Sequence, residues 1–479
     1  MRTTLISPKT LILTIVAVIS TILLGYGVSH LAAQDQQGDP VRGGLLYDMW
    51  WVVTGADAPT GDQPLWATQS TNTRSGRDTW RCKECHGWDY KGANGAYGSG
   101  SHFTGFPGIL DSQGKPVEDI VAALKGGTNP DHDFSTVMDD QALLDLAVFI
   151  SESLIDTSQL ISEDKASTGD AVRGQAFFAM CTGCHGPQGN AITFGPFADP
   201  QVIANLASDN PWEFLHKTRY GQPTWPPMPA LLSLGLSESD MADVLAYAQS
   251  LSPEPALSGG GMLYDMWWAV TGADAPTGDH PLWATQTTNT RSGADTWRCK
   301  ECHGWDYKGV DGAYGSGSHM TGFPGILGAA SQSPDELLAW LNGEANPDHD
   351  FSAVMDEAAL DALVTFISQE MVDFSGYVNS DKTVNGDPDA GKSLFNSACA
   401  RCHGTDGKDF NFGAEDEPVY VGTLAVDNPW EVFHKTAHGQ PGQPMPGAVA
   451  LGWTADQIAD EVAYSQTLPP EYAIASYCR

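Results

Sequence analysis

Four stretches of this 479-residue chain place two cysteines and a histidine at one fixed spacing, Cys-x-x-Cys-His: Cys82–His86, Cys181–His185, Cys299–His303 and Cys399–His403. Two thiols three positions apart share a turn of helix, where they reach the two vinyl groups of a haem. The adjacent imidazole then turns onto the iron as proximal ligand. A redox disulfide or half of a zinc site are the alternatives for such cysteine pairs. Nine cysteines in a chain this long make even one chance match with the trailing histidine rare. The motifs take eight of the nine, Cys82, Cys85, Cys181, Cys184, Cys299, Cys302, Cys399 and Cys402, and the odd total forbids complete disulfide pairing. Four covalently bound haem c groups are therefore expected, with iron held by His86, His185, His303 and His403.

The elements that must position these motifs come in a repeat. Leu46–Leu110 and Leu263–Leu327 align without gaps at an offset of 217, and seven of the 65 positions differ. The relation continues through Asn129-Pro-Asp-His and Asn346-Pro-Asp-His to Asp209-Asn-Pro-Trp and Asp427-Asn-Pro-Trp. Polar or Pro/Gly-rich stretches at 156–169, 252–260 and 373–388 read as linkers and divide each repeat again. The expected domains are 41–155 (A1), 168–252 (B1), 260–372 (A2) and 386–470 (B2), one motif in each. B1 runs Gly174, Phe177 and Phe178 into Cys181, and B2 runs Gly391 and Phe395 into Cys399. Apolar periodicity predicts closing helices over 141–154 in A1 and 239–251 in B1.

A helix leading into the haem motif, a ligand loop and a closing helix are the layout of the class I cytochrome c family. The B segments resemble it in Gly-x-x-x-Phe before the motif, Met-Pro in the loop and Ala-Tyr in the last helix, and the A segments resemble it in part. The resemblance implies a mainly α chain of four tandem small cytochrome c-like domains after an N-terminal transmembrane or signal helix. It also implies a second axial ligand on each iron. In B1 the candidate is Met228, 43 residues after His185, and in B2 Met445, 42 after His403. His216 and His434 are their rivals, on helices predicted at 212–218 and 430–436, where a solvent or propionate contact is the plainer role. In the A segments methionine is the family habit, but Met138 abuts the cap pair Asp139-Asp140 and has no loop to carry its sulfur back. His132 and His349 are favoured as the distal ligands, with Met138 and Met355 as alternatives. His102 and His319 read as polar surface.

About 30 residues inserted before each A motif read as a Trp-rich flap over a haem edge or as a partner site. Trp80, Trp88, Tyr90 and their counterparts Trp297, Trp305 and Tyr307 are expected to pack on the porphyrins. Cys478 is left over as a free or intermolecularly bonded thiol.

Arg2 and Lys9 precede an apolar run from Leu11 to Val28 that, as a helix, would span about 27 Å of a roughly 30 Å hydrocarbon layer. Residues 1–35 are expected to be a membrane anchor, or else a cleaved signal, and either exports the rest of the chain. The chain carries 59 acidic against 24 basic residues, a formal charge of −35, which excludes a binder of nucleic-acid phosphates. That charge suits a basic electron carrier or oxidase as partner, or an acidic surface adapted to salt. The expected function is electron transfer between respiratory or photosynthetic redox partners on the periplasmic side of the membrane. The alternatives are a multihaem enzyme of thiosulfate-dehydrogenase or peroxidase type, and a haem subunit of a larger complex.

Overall fold

A computed structural model describes residues 37–224 and 227–470. The predicted anchor or signal at 1–35 and Cys478 lie outside them. Among the described residues the chain is mainly helical, with isolated two-residue bridges and no β-strand. No helix among them is long and apolar enough to cross a membrane. They gather into two compact units. The first runs to Thr157 and adds His216–Gly235, and the second holds Ser158–Leu215 and everything from Leu236.

The first unit is built on α1 (Pro40–Thr54), α2 (Cys82–His86), α3 (Val117–Leu124) and α4 (Asp140–Val148). Asp39 caps α1 by accepting from Val41 and Arg42, Pro40 supplies a pre-set first-turn φ, and Gly55 ends the helix at φ 71°. Leu46, Tyr47 and Trp50 of α1 form the core with Leu143, Leu146 and Phe149, all nearly inaccessible. Glycine is needed at the contact: a Cβ on Gly43 would lie 2.2 Å from the Asp145 carbonyl oxygen, and one on Gly44 2.3 Å from the ring of Tyr220. The closing helix predicted over 141–154 is α4 followed by a wider π turn at Phe149–Ser153.

The second unit continues with α5 (Ala171–Phe178), α6 (Thr182–His185), α7 (Ile203–Asp209) and α8 (Pro211–Tyr220), whose residues from His216 belong to the first unit. Then come α9 (Glu238–Gln249), α10 (Gly260–Thr271), α11 (Cys299–His303), α12 (Pro334–Leu341) and α13 (Glu357–Thr365). The chain ends with α14 (Pro388–Leu394), α15 (Ala400–His403), α16 (Val421–Asp427), α17 (Pro429–His438) and α18 (Ala455–Ser465). α10 repeats α1, down to the same non-helical kink at Met266 as at Met49. The α5–α9 and α14–α18 pairs cross at Gly174 and Gly391, where a Cβ would come within 1.9 Å of the carbonyl oxygens of Asp243 and Asp460.

Two of the stretches read as linkers are folded. Ile161 bridges to Ser167 and Val378 to Val384, around Lys165 and Lys382 at φ 67° and 69°. Ser167 Oγ donates to the Ala242 carbonyl at 2.6 Å, so the first stretch is packed on α9. Polarity marked these turns as tethers because their hydrogen bonds are made by the backbone, which composition does not display.

Candidate haem centres

Each A motif is a single turn fastened to the first helix of its own segment, α1 in A1 and α10 in A2. Tyr47 Oη donates to the Gly87 carbonyl at 2.6 Å, and Tyr264 Oη to Gly304 at 2.6 Å. Arg81 and Arg298, just before the motifs, pair with the buried carboxylates of Asp48 and Asp265. All eight motif cysteines are unbridged, and burial pushes the thiols of Cys82 and Cys299 up to about 12 and that of Cys181 up to about 11. Among the described residues no three His, Cys, Asp or Glu side chains converge on a point that could hold a bare metal ion.

In the second unit a cavity of about 430 Å³ opens between α11 and the segment preceding α13. Cys299, Cys302 and His303 line it together with His349, and Trp297, Leu341 and Ile367 supply apolar wall. The rings of His303 and His349 stand 6.2 Å apart, centroid to centroid, at 68°. Both Nδ1 atoms are engaged by carbonyl oxygens, His303 with Pro324 at 2.7 Å and His349 with Trp340 at 2.9 Å. Those bonds leave Nε2 of each ring as the free lone pair. Burial holds His303 down to about 4, so it is neutral and able to ligate. Metal–nitrogen bonds of about 2 Å on either side of one ion would separate two imidazole centroids by roughly 6 Å. A covalent haem fits this cavity: thiols for its vinyl groups, apolar walls for its faces and two histidines for one iron.

The first unit repeats the arrangement. His86 and His132 are 6.2 Å apart at 75°, with His86 Nδ1 on Pro107 at 2.7 Å and His132 Nδ1 on Ala123 at 3.4 Å. The inserted segment positions His132, since Gln63 Nε2 donates to the Asp131 carbonyl at 2.7 Å. It folds as two 3-10 turns, Pro64–Thr68 and Gly76–Trp80, around a buried Trp66. Met138 and Met355 are buried, and Met355 packs in the core with Phe351 and Leu363 without lining the cavity.

Several expectations need correction. Of the aromatic set expected on the porphyrin, Trp297 lines the cavity, whereas Trp305 and Tyr307 do not. They pack on His434, with Tyr307 Oη 2.7 Å from its Nδ1, and Trp88 and Tyr90 pack on His216 in the same way. His216 and His434 are accordingly 2 % and 0 % exposed, not solvent-facing. Their Nε2 atoms meet the carbonyls of Gly44 and Gly261 at 3.0 and 2.9 Å, so neither nitrogen is free for iron. The glycines that admit those carbonyls carry no side-chain signal, which is why sequence alone left the histidines outside. His102 and His319 are half-exposed and stack on Tyr97 and Tyr314, each beside a buried glutamate of the haem motif, Glu84 or Glu301.

In the B segments His185 and His403 are set by the short helices α6 and α15, and both Nδ1 atoms are buried with no hydrogen-bond partner among the described residues. Burial lowers His185 to about 4 and also lowers His403. Met228 pairs through its backbone with Gln222, and Met445 follows α17 in a half-buried loop. Among the described residues no hydrogen bond or ring contact joins Met445 to His403.

Residues 171–252 match the family model for cytochrome c, and 386–464 that for subunit III of cbb3-type cytochrome c oxidase. The chain is also similar to cytochrome c4 of Pseudomonas aeruginosa, 31 % identical over an aligned length of 124, and the match covers 23 % of this chain. It spans 59 % of the length of that relative. No solved structure matches. Two of the four motif-bearing segments are thus similar to c-type cytochromes.

In the family that these segments resemble, the Cys-x-x-Cys-His turn is the attachment point of covalent haem c, and Cys181–His185 and Cys399–His403 are the residues of the matched segments that would hold it. Sequence reasoning missed one buried polar group, Glu461 on α18. Comparing the closing helices position by position would have found it, since Val244 stands there in B1.

Proposed function

We propose that the chain is an exported tetrahaem cytochrome c, tethered to the periplasmic face of the cytoplasmic membrane through residues 1–35, that passes electrons between redox partners. Its haems are attached at 82–86, 181–185, 299–303 and 399–403 in four tandem domains. The A haems take His132 and His349 as distal ligands, and the B haems Met228 and Met445. The observation that carries this is the opposed histidine pair, 6.2 Å apart in both A segments, each ring held by a carbonyl at Nδ1. A bound haem supplies a one-electron couple; the chain orients the axial rings and walls off water. Two protein ligands per iron leave no position for substrate, which favours a carrier over a multihaem enzyme. The formal charge of −35 suits docking to a basic carrier or oxidase. A haem subunit of a larger respiratory complex is the second reading, favoured by the match of 386–464 to an oxidase subunit family.

The test is a pyridine haemochrome assay with electronic and magnetic circular dichroism spectra of the full-length protein. The expected result is four haems per chain, two with a thioether-to-iron charge-transfer band, and a spectrum unmoved by carbon monoxide. A high-spin fraction that binds it would overturn the carrier assignment.

A further inference from the structure

α18 carries a carboxyl group that the fold does not require. Glu461 is 3 % exposed and accepts from Thr436 of α17 and from Ser465 one turn along α18; α18 packs against the turn Phe395–Cys399 that opens the haem motif, and the charge of Glu461 helps to raise the Cys399 thiol. In B1 the same two positions of α9 are Val244 and Ala248, both buried, while Thr218 matches Thr436. The acid and one of its hydroxyl partners are thus both absent from B1.

No cation pairs with Glu461 among the described residues. On α17, Lys435 is drawn to Asp265 at 3.0 Å and to Gln440, His434 is held by Tyr307 and Gly261, and His438 packs against Phe366. Glu431, also on α17, is bonded to Asn428. On α18 itself Asp460 accepts from the backbone of Asp387 and Asp456 from Tyr377. The other charged residues on packed elements are Asp389 and Lys392 of α14 and Asp427 of α16, and none of them bonds Glu461. The two partners are hydroxyls, Ser465 Oγ at 2.7 Å and Thr436 Oγ1 at 3.3 Å. A hydroxyl donates to a carboxylate and accepts from a carboxylic acid, so the same pair satisfies both protonation states. An unpaired carboxylate in a low-dielectric core is costly and responds strongly to any nearby change of charge.

We infer that Glu461 is a proton-accepting site coupled to the haem at Cys399–His403, so that reduction of this haem draws one proton onto its carboxylate. The inference rests on the assignment of a haem to that motif under Proposed function. The balance is one electron from the redox partner converting ferric to ferrous iron, and one proton from solvent converting carboxylate to carboxylic acid. Burial already pushes Glu461 up to about 7, which puts the exchange in the physiological range.

The experiment is a spectroelectrochemical titration of full-length holoprotein and of E461Q across the neutral pH range, with infrared difference spectra of the wild type. One high-potential haem should show a midpoint that falls as pH rises, approaching a tenfold change in its reduction constant per pH unit, or 59 mV. E461Q should be flat in that component, and the wild type should gain a carboxylic-acid carbonyl band on reduction. An unchanged slope in E461Q, or no such band in the wild type, overturns the inference. The infrared arm decides it alone if E461Q fails to fold. Mass analysis of the 399–403 peptide separates the two failures: no haem there overturns the underlying assignment, whereas haem with a pH-flat potential overturns only the coupling.

Discussion

The two A segments and the two B segments share one duplication, yet they differ from each other to different depths. A1 and A2 keep the tyrosine bond to the glycine after the motif, the arginine–aspartate pair before it and the histidine pair, with matching distances. B1 and B2 keep the α5–α9 and α14–α18 crossings but exchange buried residues: Val244 for Glu461, Ala248 for Ser465, Tyr220 for His438. The A surroundings hold geometry around paired rings, where a small shift would misplace a ligand. The B surroundings set polarity and charge around a motif, which tunes a haem without moving it. Two near-equal A potentials and two distinct B potentials should result.

Replacing an A ligand breaks that symmetry most. His349→Met should raise one low-potential centre by a sizeable part of the roughly 0.8 V that axial ligands span, leaving the other A haem in place. Met355→Ala should leave the spectrum unchanged, since Met355 does not line the cavity. Potentiometry with optical detection checks both, and loss of a charge-transfer band in Met355→Ala would reassign the ligand.

The arginine–aspartate pairs sharpen the comparison within the A segments. Arg298→Ala leaves Asp265 with Lys435 at 3.0 Å, so it should cost about 3 kcal/mol, the low end for a broken buried pair. Arg81→Ala leaves Asp48 with Lys217 only at 3.8 Å and should cost more, towards about 5 kcal/mol. Denaturant unfolding followed at the haem band should rank them in that order, and equal losses would show that the lysines do not compensate.

Converting B2 to the B1 pattern tests the core difference. Glu461 is raised to about 7, above its ordinary carboxylate value, so between the two the folded state binds more protons than the unfolded chain. Stability therefore falls as pH rises through that window. The double variant E461V/S465A should remove this fall, gaining about 3 kcal/mol at alkaline pH relative to acid pH. Urea midpoints at the two pH extremes measure it, and parallel curves for variant and wild type would refute it.

Much of this was legible from spacing. The spacing Cys-x-x-Cys-His located four short helical turns, and the loop-length argument at Asp139-Asp140 favoured His132, whose ring stands 6.2 Å from that of His86. Helices α8 and α17 were placed within two residues at each end. Spacing did not reveal which face those helices bury, because that depends on Gly44 and Gly261 baring carbonyls to His216 and His434. An aromatic beside a motif likewise has two places to go, and periodicity does not choose between the haem and a neighbouring helix. Trp305 and Tyr307 took the helix.

The smallest expected effect concerns His438, which stands where B1 has Tyr220. Its ring is 3 % exposed, both nitrogens lack a hydrogen bond among the described residues, and burial holds it well below the ordinary histidine range, with His434 nearby adding to the effect. The folded protein keeps it neutral, while the unfolded chain takes up a proton once pH falls below about 6.5. Stability at this position is thus present above that pH and lost on acidification. His438→Phe preserves the ring contact with Phe366, 5.1 Å away, and removes no bond, so it should change stability by less than about 1 kcal/mol at neutral pH. The variant should outlast the wild type below pH about 6, where His438 would have to charge. A pH series of thermal melts reads this directly. A destabilised variant at neutral pH would mean that one of the two nitrogens has a partner in solution, and would set His438 alongside Tyr220 as a bonded residue.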